Sequence, residues 1–271
     1  MINFSDFLRE PEPAGGRTQT DPPKREAGPS LVSKELSRVE TVSVSVSPES
    51  RIVFHLDPRS PGADRFRLLR MRLRALWTSG KLKSLLITSA LPGDGKSTVA
   101  LNLATALAEG GKRTVLLVEG DLYHPSLASA LGLENHVGLA ECLEDGIDPM
   151  TDAIRRVDPL QFYLLSAGNP KGNSTELLQS DALAIFKRAV SPHFDWVIFD
   201  SPPVAPLTDA LAVSRHTDAT LLVARADQTP RESIEEAIML LGPEHVLGIV
   251  LNAVSGLNKT YSKYYGYYGK K

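Results

Sequence analysis

The sequence predicts an α/β fold: a doubly wound, mostly parallel sheet flanked by helices. Three observations carry that expectation. Six short apolar runs, at residues 85–88, 114–118, 162–165, 196–199, 219–224 and 246–251, do not alternate with polar residues. Such runs suit strands covered on both faces. Helical stretches separate several of them, over about 97–109, 175–190 and 231–241, and strands alternating with helices build a parallel sheet. A glycine-rich loop over residues 90–98 leaves the first run and opens the first of those helices.

The chain has 271 residues, 42% hydrophobic and 23% charged, enough for one α/β domain and an additional segment. Its formal net charge of -2 gives no overall cationic excess of the kind that marks a nucleic-acid binder. Cys142 is the single cysteine, so no disulfide forms within one chain, and a reducing compartment is expected. A lone cysteine usually behaves as a small hydrophobe. Residues 1–10 lack a cationic stretch followed by an apolar one, and no apolar stretch reaches the ~20 residues of a membrane helix. The expectation is a soluble, cytoplasmic protein able to dock on a membrane partner.

Residues 1–50 read as a disordered linker. They hold Pro11, Pro13, Pro22, Pro23, Pro29 and Pro48 among many polar residues, too little apolar surface to offset ordering. Within them, residues 41–47 alternate valine with polar residues, which suits either an edge strand or a linker with local β preference. Residues 62–78 then place Phe66, Leu68, Leu69, Leu73 and Leu76 at helical spacing, with Arg65, Arg67, Arg70, Arg72 and Arg74 between them. This is an amphipathic basic helix. A nucleotide-binding domain is expected over 51–254, and a tail over 255–271.

The loop reads Ala-Leu-Pro-Gly-Asp-Gly-Lys-Ser-Thr over residues 90–98. A strand before it and a helix after it are the context of a P-loop. Gly93, Asp94, Gly95, Lys96, Ser97 and Thr98 are the expected phosphate-cradling residues: glycines turn backbone N–H groups inward, and the helix start adds positive potential. Lys96 reaches β- and γ-phosphates, and the Ser97 hydroxyl is a Mg²⁺ ligand. Ala90 stands where the pattern usually has its first glycine. Acidic groups for the cation are expected at strand ends, where ligands collect in open α/β sheets. Asp200 ends the run 196–199 and precedes Ser201-Pro202-Pro203; Glu119 and Asp121 follow the run 114–118. The residues therefore point to binding of ATP, or another nucleoside triphosphate, with Mg²⁺.

The loop, the box at 118–122 with Pro125, and the box at 199–203 together resemble the bacterial tyrosine kinases of capsule and exopolysaccharide synthesis, from about residue 52 onward. The resemblance implies a P-loop NTPase-like fold, protein-tyrosine autokinase activity with ATP and Mg²⁺, and a Wzz-type membrane polysaccharide co-polymerase as activator. It also implies recruitment to the inner face of the cell membrane. Catalytic roles are implied for Lys96, Asp121, Asp200 and Glu119, metal binding for Ser97, Asp200 and Glu119, and a place near the adenine for Asn252. Asp64, Arg67 and Arg70 match the family's acid-x-x-Arg-x-x-Arg motif, which implies self-association into a ring. Residues 174–178 resemble a further family segment. The last segment carries five of the seven tyrosines, Tyr261, Tyr264, Tyr265, Tyr267 and Tyr268, and corresponds to the family's autophosphorylation cluster.

Related partitioning and cell-division ATPases share the loop and both acidic boxes. They carry a signature lysine where this chain has Leu91, and do not end in a tyrosine cluster. Two features depart from the kinase pattern: Glu119 stands where the family usually has aspartate, and a basic residue is missing at Tyr123. A positioning ATPase, a weakly catalytic nucleotide-gated regulator and a tyrosine- and lysine-rich nucleic-acid segment remain the competing readings.

Overall fold

The computed structural model describes residues 35–205 and 208–255. The tyrosine cluster and the expected tail beyond Ser255 lie outside the described residues, as does most of the expected linker. In chain order the strands are β1 (Glu40–Ser43), β2 (Ser84–Ser89), β3 (Val115–Glu119), β4 (Arg155–Asp158), β5 (Phe162–Leu165), β6 (Trp196–Asp200), β7 (Ala219–Arg225) and β8 (Val246–Asn252). The helices are α1 (Val53–Leu56), α2 (Pro61–Thr78), α3 (Lys96–Ala108), α4 (Leu127–Ala130), α5 (Leu139–Glu144), α6 (Ser174–Gln179), α7 (Asp181–Val190), α8 (Asp209–Ser214) and α9 (Arg231–Leu241).

The strands form one sheet in the order β1-β4-β5-β3-β6-β2-β7-β8. Every pairing is parallel except β4 with β5. All residues of β2, β3 and β6 are buried, as continuous apolar runs require. Alternate residues feed opposite layers. Leu86, Leu116, Val118, Val197, Phe199 and Leu222 join one core with Leu143, Leu183, Phe186 and Leu241. Leu85, Ile87, Val115, Leu117, Ile198 and Val223 join the other with Leu73, Trp77, Leu103 and Leu107. Helices thus cover both faces: α5, α6, α7, α8 and α9 one, α2, α3 and α4 the other.

Each of the six expected strands is present. Two elements depart from the sequence reading. The stretch 175–190 divides into α6 and α7 at Ser180, whose backbone is extended (ψ 161°) and caps both helices. Its hydroxyl donates to the Leu177 carbonyl at 2.7 Å, the local competition that makes serine favour helix ends. The other departure lies in the linker expected over 1–50. Glu40–Ser43 pairs in parallel with β4, and Leu36 and Val39 are buried in the core. The edge-strand alternative holds, and the ordered fold begins before residue 50. Strand β4, with the polar sequence Arg-Arg-Val-Asp, carried no apolar signal and forms by pairing with β5.

Asn102 ties the start of the domain to the nucleotide loop. Fully buried on α3, it donates from Nδ2 to the carbonyls of Arg51 and Thr98, both at 2.9 Å, and accepts at Oδ1 from the Phe54 N–H at 3.1 Å. Asn102→Ala leaves the Phe54 N–H and Arg51 carbonyl without this partner. We expect a loss of about 1–3 kcal/mol, read as a lower urea midpoint at unchanged slope.

Candidate nucleotide site

The sheet order brings the site together. β3, β6 and β2 are adjacent, and Glu119 and Ile87 lie in register on either side of Asp200. The carboxyl ends of these three strands therefore converge where the loop 90–95 leaves β2 and enters α3. Gly95 has φ 92°, and a Cβ there would fall 2.2 Å from Asn252 Nδ2, so both its conformation and its space demand glycine.

The loop is held from outside. Asp94 is buried, and its carboxylate accepts from the Leu91 N–H at 3.1 Å and the Thr229 hydroxyl at 2.6 Å. Arg225 donates to the Gly93 carbonyl at 3.2 Å. Asn252 Nδ2 donates to the Asp94 carbonyl at 2.9 Å. The phosphate-cradling role expected of Asp94 falls to its backbone N–H; its side chain turns inward and braces the loop, which also keeps a carboxylate away from an anionic ligand.

Lys96 Nζ lies 3.1 Å from Asp121 Oδ2 and 3.4 Å from Ser97 Oγ, and the Ser126 hydroxyl donates to Ser97 Oγ at 3.1 Å. Asp121 also accepts the His124 N–H at 3.0 Å. Asp200 is fully buried, and among the described residues neither carboxylate oxygen has a hydrogen-bond partner of good geometry. Burial pushes its carboxyl up to about 7; the Lys96 charge and the Ser97 hydroxyl pull the other way, and Glu119 and Asp121 add to the rise.

A buried carboxylate with two idle oxygens beside a serine hydroxyl fits a divalent cation. Among the described residues no cluster of three or more Asp, Glu, His or Cys could hold a metal by itself. That matches Mg²⁺, which is usually bound through one or two carboxylates together with substrate phosphates and water.

Glu119 behaves differently from its expected metal and catalytic roles. It is buried at the end of β3, and Oε1 accepts the N–H groups of Ser126 and Leu127 while Oε2 accepts that of Ala167 at 3.3 Å. Both oxygens are thus committed to backbone. Burial raises its carboxyl, against the pull of these N–H groups. The longer glutamate side chain spans a distance that aspartate could not, so the departure at this position has a structural account.

Asp209 escaped the sequence reading, because a single acid at a helix start carries no signal. It is buried; Oδ1 accepts the Thr175 hydroxyl at 2.6 Å, and Oδ2 has no partner among the described residues. Burial raises its carboxyl, the Thr175 hydroxyl opposes that, and the Asp121 charge adds to it. Asp64, Arg67 and Arg70 sit on α2 with partners inside this chain. Arg67 pairs with Asp64 at 2.7 Å, and Arg70 donates to the Ala106 carbonyl at 3.0 Å. Both guanidiniums lie over the Phe54 ring, at 5.2 and 6.0 Å from its centroid.

Comparison with known proteins agrees with this geometry. A profile of the ParA group, described as NUBPL iron-transfer P-loop NTPase, matches residues 82–270. The tyrosine-protein kinase YwqD of Bacillus subtilis is 33% identical over 227 residues, 82% of this chain and 93% of that protein. The succinoglycan biosynthesis transport protein ExoP of Rhizobium meliloti is 33% identical over 208 residues, 75% of this chain and 26% of that protein. Among solved structures, the kinase domain of the Escherichia coli tyrosine kinase ETK superposes with a TM-score of 0.71 at 27% identity, covering 77% of this chain and 82% of that one.

Two outcomes follow from the carboxylates. Glu119→Asp should withdraw the carboxylate from the three N–H groups, and we expect it to lower stability by about 1–3 kcal/mol in urea denaturation. A metal role for this residue would instead leave stability unchanged and alter the Mg²⁺ dependence of nucleotide binding. For Asp200 without a cation, the folded chain holds its proton up to about 7, whereas the unfolded chain releases it near 3.8. Between these values the folded chain binds more protons, so this group's contribution is full at acid pH and is lost as pH rises through 7. Asp200→Asn should flatten that decline and raise the melting temperature at pH 8 by a few degrees (on the order of 1–3 kcal/mol). It should also erase the rise that Mg-nucleotide gives wild type.

Proposed function

The chain belongs to the bacterial tyrosine kinase family, and we propose that it transfers the γ-phosphoryl group of ATP to tyrosine hydroxyls of the 261–268 cluster. The unpartnered, buried carboxylate of Asp200 beside Ser97 and Lys96 carries this reading. Interior charge without a donor is costly, and a Mg-nucleotide offsets that cost. Ser97 and Asp200 would hold Mg²⁺, which would supply charge neutralisation, and backbone N–H groups of residues 93–98 bind the phosphates.

Lys96 moves from Asp121 to the phosphate oxygens as nucleotide enters, which frees the Asp121 carboxylate. A tyrosine hydroxyl has an ordinary pKa near ~10 and needs an acceptor at neutral pH. Asp121 takes its proton as the tyrosine oxygen bonds to the γ-phosphorus and the bond to the bridging oxygen of ADP breaks. Lys96 stabilises the charge that develops on the transferring group. Glu119 shapes the turn that presents Asp121. Asn252 places β8 beside the base end of the nucleotide.

The likeness to ExoP, a succinoglycan biosynthesis transport protein, supports a role in exopolysaccharide or capsule synthesis, with a membrane polysaccharide co-polymerase as partner. No helix among the described residues is long and apolar enough to cross a membrane, so recruitment to the inner face of the cell membrane rests on that partner. The face of α2 carrying Asp64, Arg67 and Arg70 is proposed to pack on a neighbouring copy in a ring, which brings one copy's tail to the next copy's site.

Lys96→Met tests the assignment. Wild type, dephosphorylated and then incubated with MgATP, should gain mass in steps of one phosphate on the segment 256–271. The variant should gain them at least ~10²-fold more slowly. Steady release of free phosphate with unchanged intact mass would place this chain with the positioning ATPases instead.

A further inference from the structure

Between α2 and β8 runs a groove of about 1270 Å³ that continues into the nucleotide loop at Gly93, Gly95 and Lys96. Leu68, Leu69, Ile249 and Leu251 give it apolar walls; Ile249 is 48% and Leu251 58% exposed, unusual for a strand otherwise built into the sheet. Its described lining also includes five cationic residues, Arg51, Arg65, Arg72, Lys96 and Arg225, and no acidic one. Among the described residues β8 is the last strand of the sheet, with its outer backbone edge open to a further strand. At about 1270 Å³ the groove exceeds the roughly 300–1,000 Å³ of a small-ligand site, so it has room beyond a whole nucleotide, and the part lined by Arg65, Leu68, Arg72 and Leu251 suits aromatic rings carrying anionic groups.

The chain itself carries such a segment. Ser255 lines the groove, and residues 256–271 follow it, a reach of up to roughly 50 Å at ~3.3 Å per residue. They hold five tyrosines and four lysines, with no aspartate or glutamate. Unmodified, the segment carries charge of the same sign as the arginines of the groove. Each phosphotyrosine adds about -1.5 to -2, so three of them, about -4.5 to -6 in all, outweigh the four lysines and reverse the sign.

We propose that this groove is the docking site for the chain's own phosphorylated tail. The aromatic rings lie between Leu68 and the exposed leucine and isoleucine of β8, and the phosphates meet Arg65 and Arg72. Because the groove opens on Lys96, a seated tail competes with nucleotide, and phosphorylation limits itself once a few tyrosines are modified. This deepens the kinase reading above and rests on it for the source of the phosphate.

The test separates the two. The receiving protein is the full chain with Tyr261→Phe, Tyr264→Phe, Tyr265→Phe, Tyr267→Phe and Tyr268→Phe, which cannot modify its own cluster. A labelled synthetic peptide of residues 256–271 with three phosphotyrosines is titrated by fluorescence anisotropy beside its unphosphorylated form. The phosphopeptide should bind at least ~10-fold more tightly, and a non-hydrolysable MgATP analogue should displace it. Arg65→Glu with Arg72→Glu, or Leu251→Asp alone, should weaken it ~10-fold or more, while Arg188→Glu on α7 leaves it unchanged. Equal affinity of the two peptides overturns the proposal. So does indifference to both the arginine and the leucine variants when their melting curves match wild type. A changed sedimentation coefficient in the arginine variant with unaltered peptide binding would give the groove to a second copy. The peptide arrives already phosphorylated, so these results stand apart from whether Lys96→Met abolishes self-modification.

Discussion

Asp200 sits at the end of a strand covered on both faces, and among the described residues neither oxygen has a hydrogen bond of good geometry. Burial favours its protonated form, against the pull of Lys96 and Ser97, and weakens the fold as pH rises. A cation at this carboxylate would relieve that cost. The residues around it follow from that constraint. β3 and β2 flank β6 because the central strands must be apolar on both sides, and their carboxyl ends then deliver Asp121 and the loop to the same place. Lys96 and Ser97 come from the first turn of α3, where the helix start adds positive potential.

Around this centre the loop is shaped by groups that need never touch a ligand. Asp94, Thr229, Arg225 and Asn252 hold it from the ends of β7 and β8. The last of these matters for communication, since Asn252 occupies the space above Gly95 and lies three residues before Ser255. Whatever fixes the segment after Ser255 acts on the same strand end that braces the loop. The nucleotide site and the groove beside it are therefore one continuous surface, apolar along β8 and cationic along α2.

Glu119 shows how a change that looks catalytic has a structural reason. From the end of β3 its carboxylate reaches the start of α4 and the backbone after β5, fastening the turn that carries Asp121. The arginines of α2 make a parallel case. Arg67 and Arg70 lie on Phe54 and reach the Pro58 and Ala106 carbonyls of their own chain. They tie α2 to α1 and α3.

The sequence alone determined the sheet, its six apolar strands, the loop and the acids at two strand ends. Each of these is written locally, in composition and in spacing along the chain. It also located the basic helix and the family. Tertiary structure decided the rest. Strand β4 has no apolar pattern and forms between β1 and β5, and β1 joined the sheet where local preference was even. Asp94 and Glu119 have the composition of ligand-binding acids, yet their oxygens meet nearby backbone N–H groups and, from far along the chain, the Thr229 hydroxyl and the Ala167 N–H. Asp209 is unremarkable until burial leaves one oxygen without a partner. A carboxylate's role depends on what surrounds it, and that is set by which strands become neighbours.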